Sequence, residues 1–189
     1  AQRNGDGNFR STTRDVRKLI DSLSKENIDG IVIDLREDGG GSLQEAIELT
    51  GLFIKDGPVV QVKNSDGQID VAKDPDPQIF YDGPLAVLVN RFSASASEIF
   101  AGAIQDYERG VLVGTQSYGK GSVQNWITLL NDEGAIRVTV ARWLTPNERQ
   151  INSVGLTPNY VVELTEENIQ KGVDSQLEKA IDLLKENSK

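Results

Sequence analysis

The chain has 189 residues, enough for one sizeable domain that buries a core without disulfides or metal. Twenty basic against twenty-nine acidic residues leave a net charge of −9, which argues against nucleic acid or an anionic lipid surface as a partner. Histidine and cysteine are both absent, which excludes a His-based triad, a thiol nucleophile, a disulfide framework and a cysteine metal site; any hydrolytic serine must find another base.

No apolar run approaches membrane-spanning length. The first residue is Ala1 and no signal-peptide pattern is visible, so the sequence is expected to be a processed or excised segment. Ala1 to Ser11 is polar and glycine-containing, the composition of a disordered or truncated start. From Thr13 to Glu26 the apolar residues Val16, Leu19, Ile20 and Leu23 form one stripe of an amphipathic helix. Asp29-Gly30 then turns into Ile31–Leu35, a run interrupted only by Asp34 and expected to be a buried parallel strand. Arg36 to Gly41 is a turn, and Ser42 with Glu45 is a capping-box signature for the helix that carries Ala46, Ile47, Leu49, Leu52 and Phe53. Successive glycines before a helix N-terminus expose N–H groups suited to negative charge, whether a phosphate or the oxyanion of acyl transfer; a plain tight turn is the alternative.

Val59–Lys63 and Gln68–Ala72 flank the Asp66-Gly67 turn of a hairpin, and Asp74 to Pro77 is a loop. The apolar run Leu85–Val89 ends in three serines spaced by alanines, Ser93, Ser95 and Ser97. A helical pattern follows in Ile99, Phe100, Ala103, Ile104 and Tyr107, then a strand at Val111–Val113 and a glycine-flanked lysine, Lys120, with Gln124 beyond it. This order allows a hydroxyl and an amine to be brought together although a helix and a strand intervene. Gly114 to Lys120 also spells most of a phosphate-binding loop, but Gly121 stands where the magnesium-binding Ser or Thr belongs and Ser122 onward reads as a strand rather than a helix. Val123–Leu130 and Ala135–Leu144 alternate as strands around a turn at Asn131 to Gly134. A loop punctuated by Pro146, Gly155 and Pro158 leads to a short strand at Tyr160–Leu164 and a last helix over Asp174–Lys185. With no internal repeat and no linker, residues 1–189 read as one domain.

The stretch from Asn90 to Gln124 closely resembles the carboxy-terminal processing, or tail-specific, proteases, which use a Ser–Lys dyad. The likeness continues upstream in IDGIVIDLREDGGGSLQEA and downstream in RWLTPNERQIN and GLTPN. The resemblance implies an α/β core of the ClpP–crotonase type, built of stacked β-β-α units, with an added β-hairpin and a C-terminal helix. It implies Ser95 as nucleophile, Lys120 as base, Gln124 as the residue orienting the lysine, and Asp106 in a supporting role. Gly40, with Gly41, and the N–H of Ala96 then become oxyanion donors, although Asp38 stands where the family's DLRxNxGG segment has asparagine. It further implies an endopeptidase acting near the free C-terminus of protein or peptide substrates through an acyl-enzyme, with no metal or other cofactor. A periplasmic or otherwise extracytoplasmic location follows, and a PDZ domain elsewhere in the parent protein, since none is recognisable here.

The residues themselves do not choose among the three serines. Ser97 is expected to cap the following helix and Ser93 to pack or hydrogen-bond at the strand end. A lysine takes a proton from serine only when neutral, which an apolar surround favours; Phe92, Ile99, Val113, Tyr118 and Val123 are the candidates for that surround. A catalytically silent peptide-binding module of the same fold and a nucleotide binder are the alternatives.

Overall fold

The computed structural model describes residues 11–76, 78–129 and 134–187. Ser11 caps the first helix, α1 (Thr12–Leu23), by accepting from the Arg14 N–H, so the helix starts one residue early and ends three short of the expected Glu26. β1 (Ile31–Asp34) leads through the glycine turn into α2 (Leu43–Gly51), whose cap is Ser42. The hairpin β2 (Val60–Asn64) and β3 (Ile69–Ala72) follows, then β4 (Leu85–Val89), α3 (Ala96–Asp106) and β5 (Val111–Gly114). β6 (Ser122–Thr128) and β7 (Ala135–Leu144) form the second hairpin; the Asn131–Glu133 part of its turn lies outside the described residues, as does the polar start up to Arg10. β8 (Tyr160–Val161), α4 (Glu166–Gln170) and α5 (Ser175–Asn187) complete the chain.

The strands divide by chemistry. β1, β4, β5 and β8 form a parallel sheet in the order β1-β4-β5-β8, and the two hairpins form an antiparallel sheet in the order β3-β2-β7-β6. β4 explains why its run is apolar throughout. Leu85, Val87 and Val89 join Phe53, Phe100 and Ile104 in the main core, whereas Ala86 and Leu88 face Ala180, Leu183 and Leu184 of α5. A central parallel strand covered on both faces has no polar side. β1, in contrast, is half-buried rather than buried, because it is the edge of that sheet.

The expected strand at Tyr160–Leu164 shortens to two residues, and the chain instead enters α4, capped by Thr165, which periodicity did not announce. α5 is tied to the sheet by Arg36, whose guanidinium bonds Asp34 at 2.7 Å and Asp174 at 2.8 Å. These bonds raise the guanidinium's affinity for its proton, and Arg36 in turn holds the Asp174 carboxyl below its ordinary range.

Candidate active site

The serine turn sits at the C-terminal end of β4, where the three serines part company. Ser93 is fully buried; its Oγ donates to the Leu35 carbonyl at 2.7 Å and accepts from the Asn90 N–H at 2.9 Å, closing the strand end. Ser97 is not the helix cap, since α3 already begins at Ala96; its Oγ donates to Asp38 Oδ2 at 2.8 Å. The N-cap is Ser95, held at φ 60° and ψ −116°. A non-glycine residue there is strained, and such strain persists only where the surroundings over-determine it.

Those surroundings centre on Glu98, one turn into α3 and fully buried. Its Oε2 accepts the N–H of Ser95 at 2.9 Å and the N–H of Lys120 at 2.8 Å. Its Oε1 accepts the N–H of Gly119 at 2.7 Å and the hydroxyl of Ser117 at 2.6 Å. One carboxylate, acting only as an acceptor, therefore pins the serine turn to the lysine loop. Ser117 Oγ also accepts the Leu156 N–H at 2.7 Å, carrying the brace into the loop after β7. The same bonds dispose of the nucleotide reading: the Gly119 and Lys120 amides that a phosphate would need are taken by a carboxylate, and a strand, not a helix, follows.

The glycine turn presses against the other side of Ser95. Gly40 has φ +90°, and a Cβ built on it would stand 2.4 Å from the Ala94 carbonyl oxygen and 3.0 Å from Ser95 Cβ, so only glycine fits. The expected oxyanion donors separate here. The Gly40 N–H donates to Asp38 Oδ1 at 3.0 Å, whereas among the described residues no hydrogen bond uses the N–H of Ala96 or Gly41. Asp38 thus occupies one donor, and its backbone carbonyl accepts the Ala94 N–H at 3.0 Å. Beside this turn opens a cavity of about 170 Å³ whose walls include Leu35, Ala46, Leu49, Ala96 and Phe100. Glu45, which also lines it, accepts from Ser11 and from both the N–H and the hydroxyl of Thr13. Burial pushes the Glu45 carboxyl up, but these bonds outweigh it and leave the group below its ordinary value.

Lys120 lines a recess of about 470 Å³ together with Ala94, Tyr118, Ser122, Gln124 and Arg137. This is not the apolar surround expected. Tyr118 is 62% and Phe92 45% exposed, while Ile99 and Val113 are buried in the cores. Among the described residues no acid pairs with the ammonium, and no hydrogen bond joins Nζ to Ser95 Oγ or to Gln124. The Gln124 amide instead donates to Thr139 Oγ1 at 3.4 Å, just past an irregularity in the β6–β7 register. Asp106 is remote: it ends α3, about 16 Å of helical rise from Ser95. There its carboxylate pairs with Arg149 and accepts the Asn147 N–H at 2.8 Å. Among the described residues no group of three or more His, Cys, Asp or Glu residues is placed to hold a metal ion.

The residue that sequence reasoning missed is Glu98. Its signal was present, since Ser95 and Glu98 stand at capping-box spacing.

Residues 7–162 match the model of a family described as peptidase family S41. The chain is 43% identical over 157 residues to a tail-specific protease of Haemophilus influenzae, covering 78% of this chain and 23% of that one. It is 41% identical over 146 residues to carboxyl-terminal-processing peptidase 2, chloroplastic, of Arabidopsis thaliana, covering 77% and 28%. Among solved structures, a photosystem II D1 C-terminal processing protease aligns with a TM-score of 0.73 and 34% identity, covering 85% of this chain and 40% of that one. The chain therefore spans well under half the length of each of these relatives.

Proposed function

The chain belongs to peptidase family S41, and on that footing we propose that it is the catalytic core of a serine endopeptidase that cuts proteins near their C-termini. The observation that carries this reading is the single Glu98 oxygen shared by the Ser95 and Lys120 amides, which couples the placement of a hydroxyl to that of an amine. In the proposed reaction neutral Lys120 Nζ takes the Ser95 Oγ proton as Oγ attacks the scissile carbonyl carbon. The oxygen that gains charge is met by the N–H of Ala96 and by the glycine turn, where the N–H of Gly41 is uncommitted and that of Gly40 must leave Asp38. Collapse expels the amine, which receives the lysine's proton, and leaves an ester on Ser95. Lys120 then deprotonates water to hydrolyse that ester. The cavity bounded by Leu35, Leu49 and Phe100 is positioned to receive an apolar side chain next to the cut. Ser95 and Lys120 must close the gap between them, as catalytic hydrogen bonds often do only once substrate is bound, and Gln124 would leave Thr139 to orient the amine.

An extracytoplasmic setting and a PDZ domain in the parent protein belong to the same proposal and rest on the family. The test is hydrolysis of an unfolded protein with an apolar C-terminus. Ser95→Ala and Lys120→Arg should each lose several powers of ten in kcat, the arginine because a guanidinium keeps its proton, while Ser93→Ala and Ser97→Ala retain part of the rate. Equal residual activity in all three serine variants would remove Ser95 from the reaction. A wild type no faster than Ser95→Ala would favour a silent peptide-binding module.

A further inference from the structure

One face of the β6–β7 hairpin runs out of the lysine recess without a use in the reaction above. Opposite residues of an antiparallel pair share a face. Gln124 stands opposite Thr139, and Trp126 opposite Arg137, so Trp126 and Arg137 continue the face that Gln124 begins. Gln124 and Arg137 both line the recess that holds Lys120. The Arg137 guanidinium lies over the Trp126 ring, 5.6 Å from its centroid, and that ring is 69% exposed.

Arg137 is unlike the arginines that hold the fold together. Arg36 and Arg149 are spent on carboxylates and Arg109 on three backbone carbonyls. Among the described residues no carboxylate pairs with Arg137. A chain of net charge −9 repels anions in general, so an unneutralised cation beside the reacting groups is a local exception. Lys120 cannot fill that role if it must be neutral to act as a base. Arginine stays charged, and stacking on tryptophan fixes its plane while leaving the N–H edge free for a bidentate acceptor.

We propose that Arg137, steadied by Trp126, receives a carboxylate of the bound peptide beyond the cleavage point. The inference rests on the protease reading for where the peptide lies, but binding tests it without turnover. The Ser95→Ala protein is titrated with three forms of one short neutral peptide ending in alanines: the free acid, the C-terminal amide, and the amide with aspartate before the last residue. Emission reports on the hairpin because Trp126 is exposed while Trp143, the other tryptophan, is buried.

A carboxylate-bearing form should bind about tenfold more tightly than the neutral amide, and Arg137→Gln should erase the difference. Lys179→Gln, the same loss of charge on α5, should keep it. Preference for the free acid assigns the contact to the chain terminus, and preference for the aspartate form assigns it to a side chain. Equal binding of all three forms, no binding of any, or a difference that survives in Arg137→Gln would overturn the proposal. Hydrolysis by the wild type is read separately, so its absence would sink the protease reading while leaving the Arg137 result standing.

Discussion

The two flanks of Ser95 are held by two carboxylates that work differently. On the lysine flank Glu98 is fully buried, accepts four hydrogen bonds and joins two loops that are remote in sequence. On the glycine flank Asp38 is exposed, accepts from the N–H of its near neighbour Gly40 and from the hydroxyl of Ser97, and leaves the neighbouring Gly41 N–H uncommitted. The contrast teaches a division of labour. A buried carboxylate with every acceptor site in use fixes geometry, because each donor it releases is left unsatisfied away from water. An exposed one exchanges with water and can yield a donor when negative charge develops beside it.

The largest break in this comparison is Glu98→Gln. Glutamine keeps the shape but turns one acceptor oxygen into a donor, which must face either the Ser95 and Lys120 amides or Ser117 and the Gly119 amide. Both choices push the serine turn and lysine loop apart, and misplacement by an ångström costs on the order of a hundredfold in rate. The kcat of Glu98→Gln should therefore fall by about that factor, with KM for peptide changing much less. Wild-type kcat in a folded Glu98→Gln protein would show that the shared carboxylate is packing alone.

Much of this arrangement was legible in the sequence because it is local. Apolar periodicity located every long helix and the parallel strands, and Asp66-Gly67 located the first hairpin. What stayed hidden depends on partners distant in sequence. Ser95 rather than Ser97 occupies the N-cap position of α3, because the chain arrives in a strained conformation of positive φ that no residue type announces. Tyr118 and Phe92 are exposed although the sequence offers them for an apolar surround: Tyr118 lines the lysine recess without closing it, and Phe92 lies outside that recess with the Arg91 guanidinium over its ring. Glu98 stood in plain view at capping spacing, but its link to the Lys120 loop arises only when β4 and β5 pair side by side. Asp38 is visible in the sequence as a departure from asparagine; that it occupies the Gly40 N–H follows from the path of the folded turn.

Asp106 sharpens the comparison, being a second buried carboxylate on the same helix but at its far end. Its side chain is 3% exposed and bound to Arg149 and the Asn147 amide, neither of which touches the serine turn. Asp106→Asn should weaken the fold by about 2 kcal/mol in urea unfolding, a figure held down because Arg149 is 42% exposed. The kcat of the molecules that remain folded should stay within about twofold of wild type, against the roughly hundredfold loss in Glu98→Gln. A collapse of kcat at unchanged stability would mean that burial on α3, rather than contact with the lysine loop, is what matters.

The smallest effect belongs to the glycine flank. In Asp38→Asn the side-chain oxygen can keep the Gly40 N–H, and the new amide can donate to Ser97 Oγ where the native carboxylate accepts from it. The geometry is preserved while one negative charge is removed from beside the proposed site of the oxyanion. Like charges in that position oppose the transition state through a partly aqueous path, so the gain is modest. The kcat for peptide should rise about two- to fivefold in Asp38→Asn, an increment of roughly 0.4–1 kcal/mol in the barrier. Added salt should raise the wild-type rate more than the variant's, because screening relieves a repulsion that only the wild type carries. A fall in kcat at both salt concentrations would mean that Asp38 positions the turn as rigidly as Glu98 positions the lysine loop, and the two flanks would then differ in exposure but not in function.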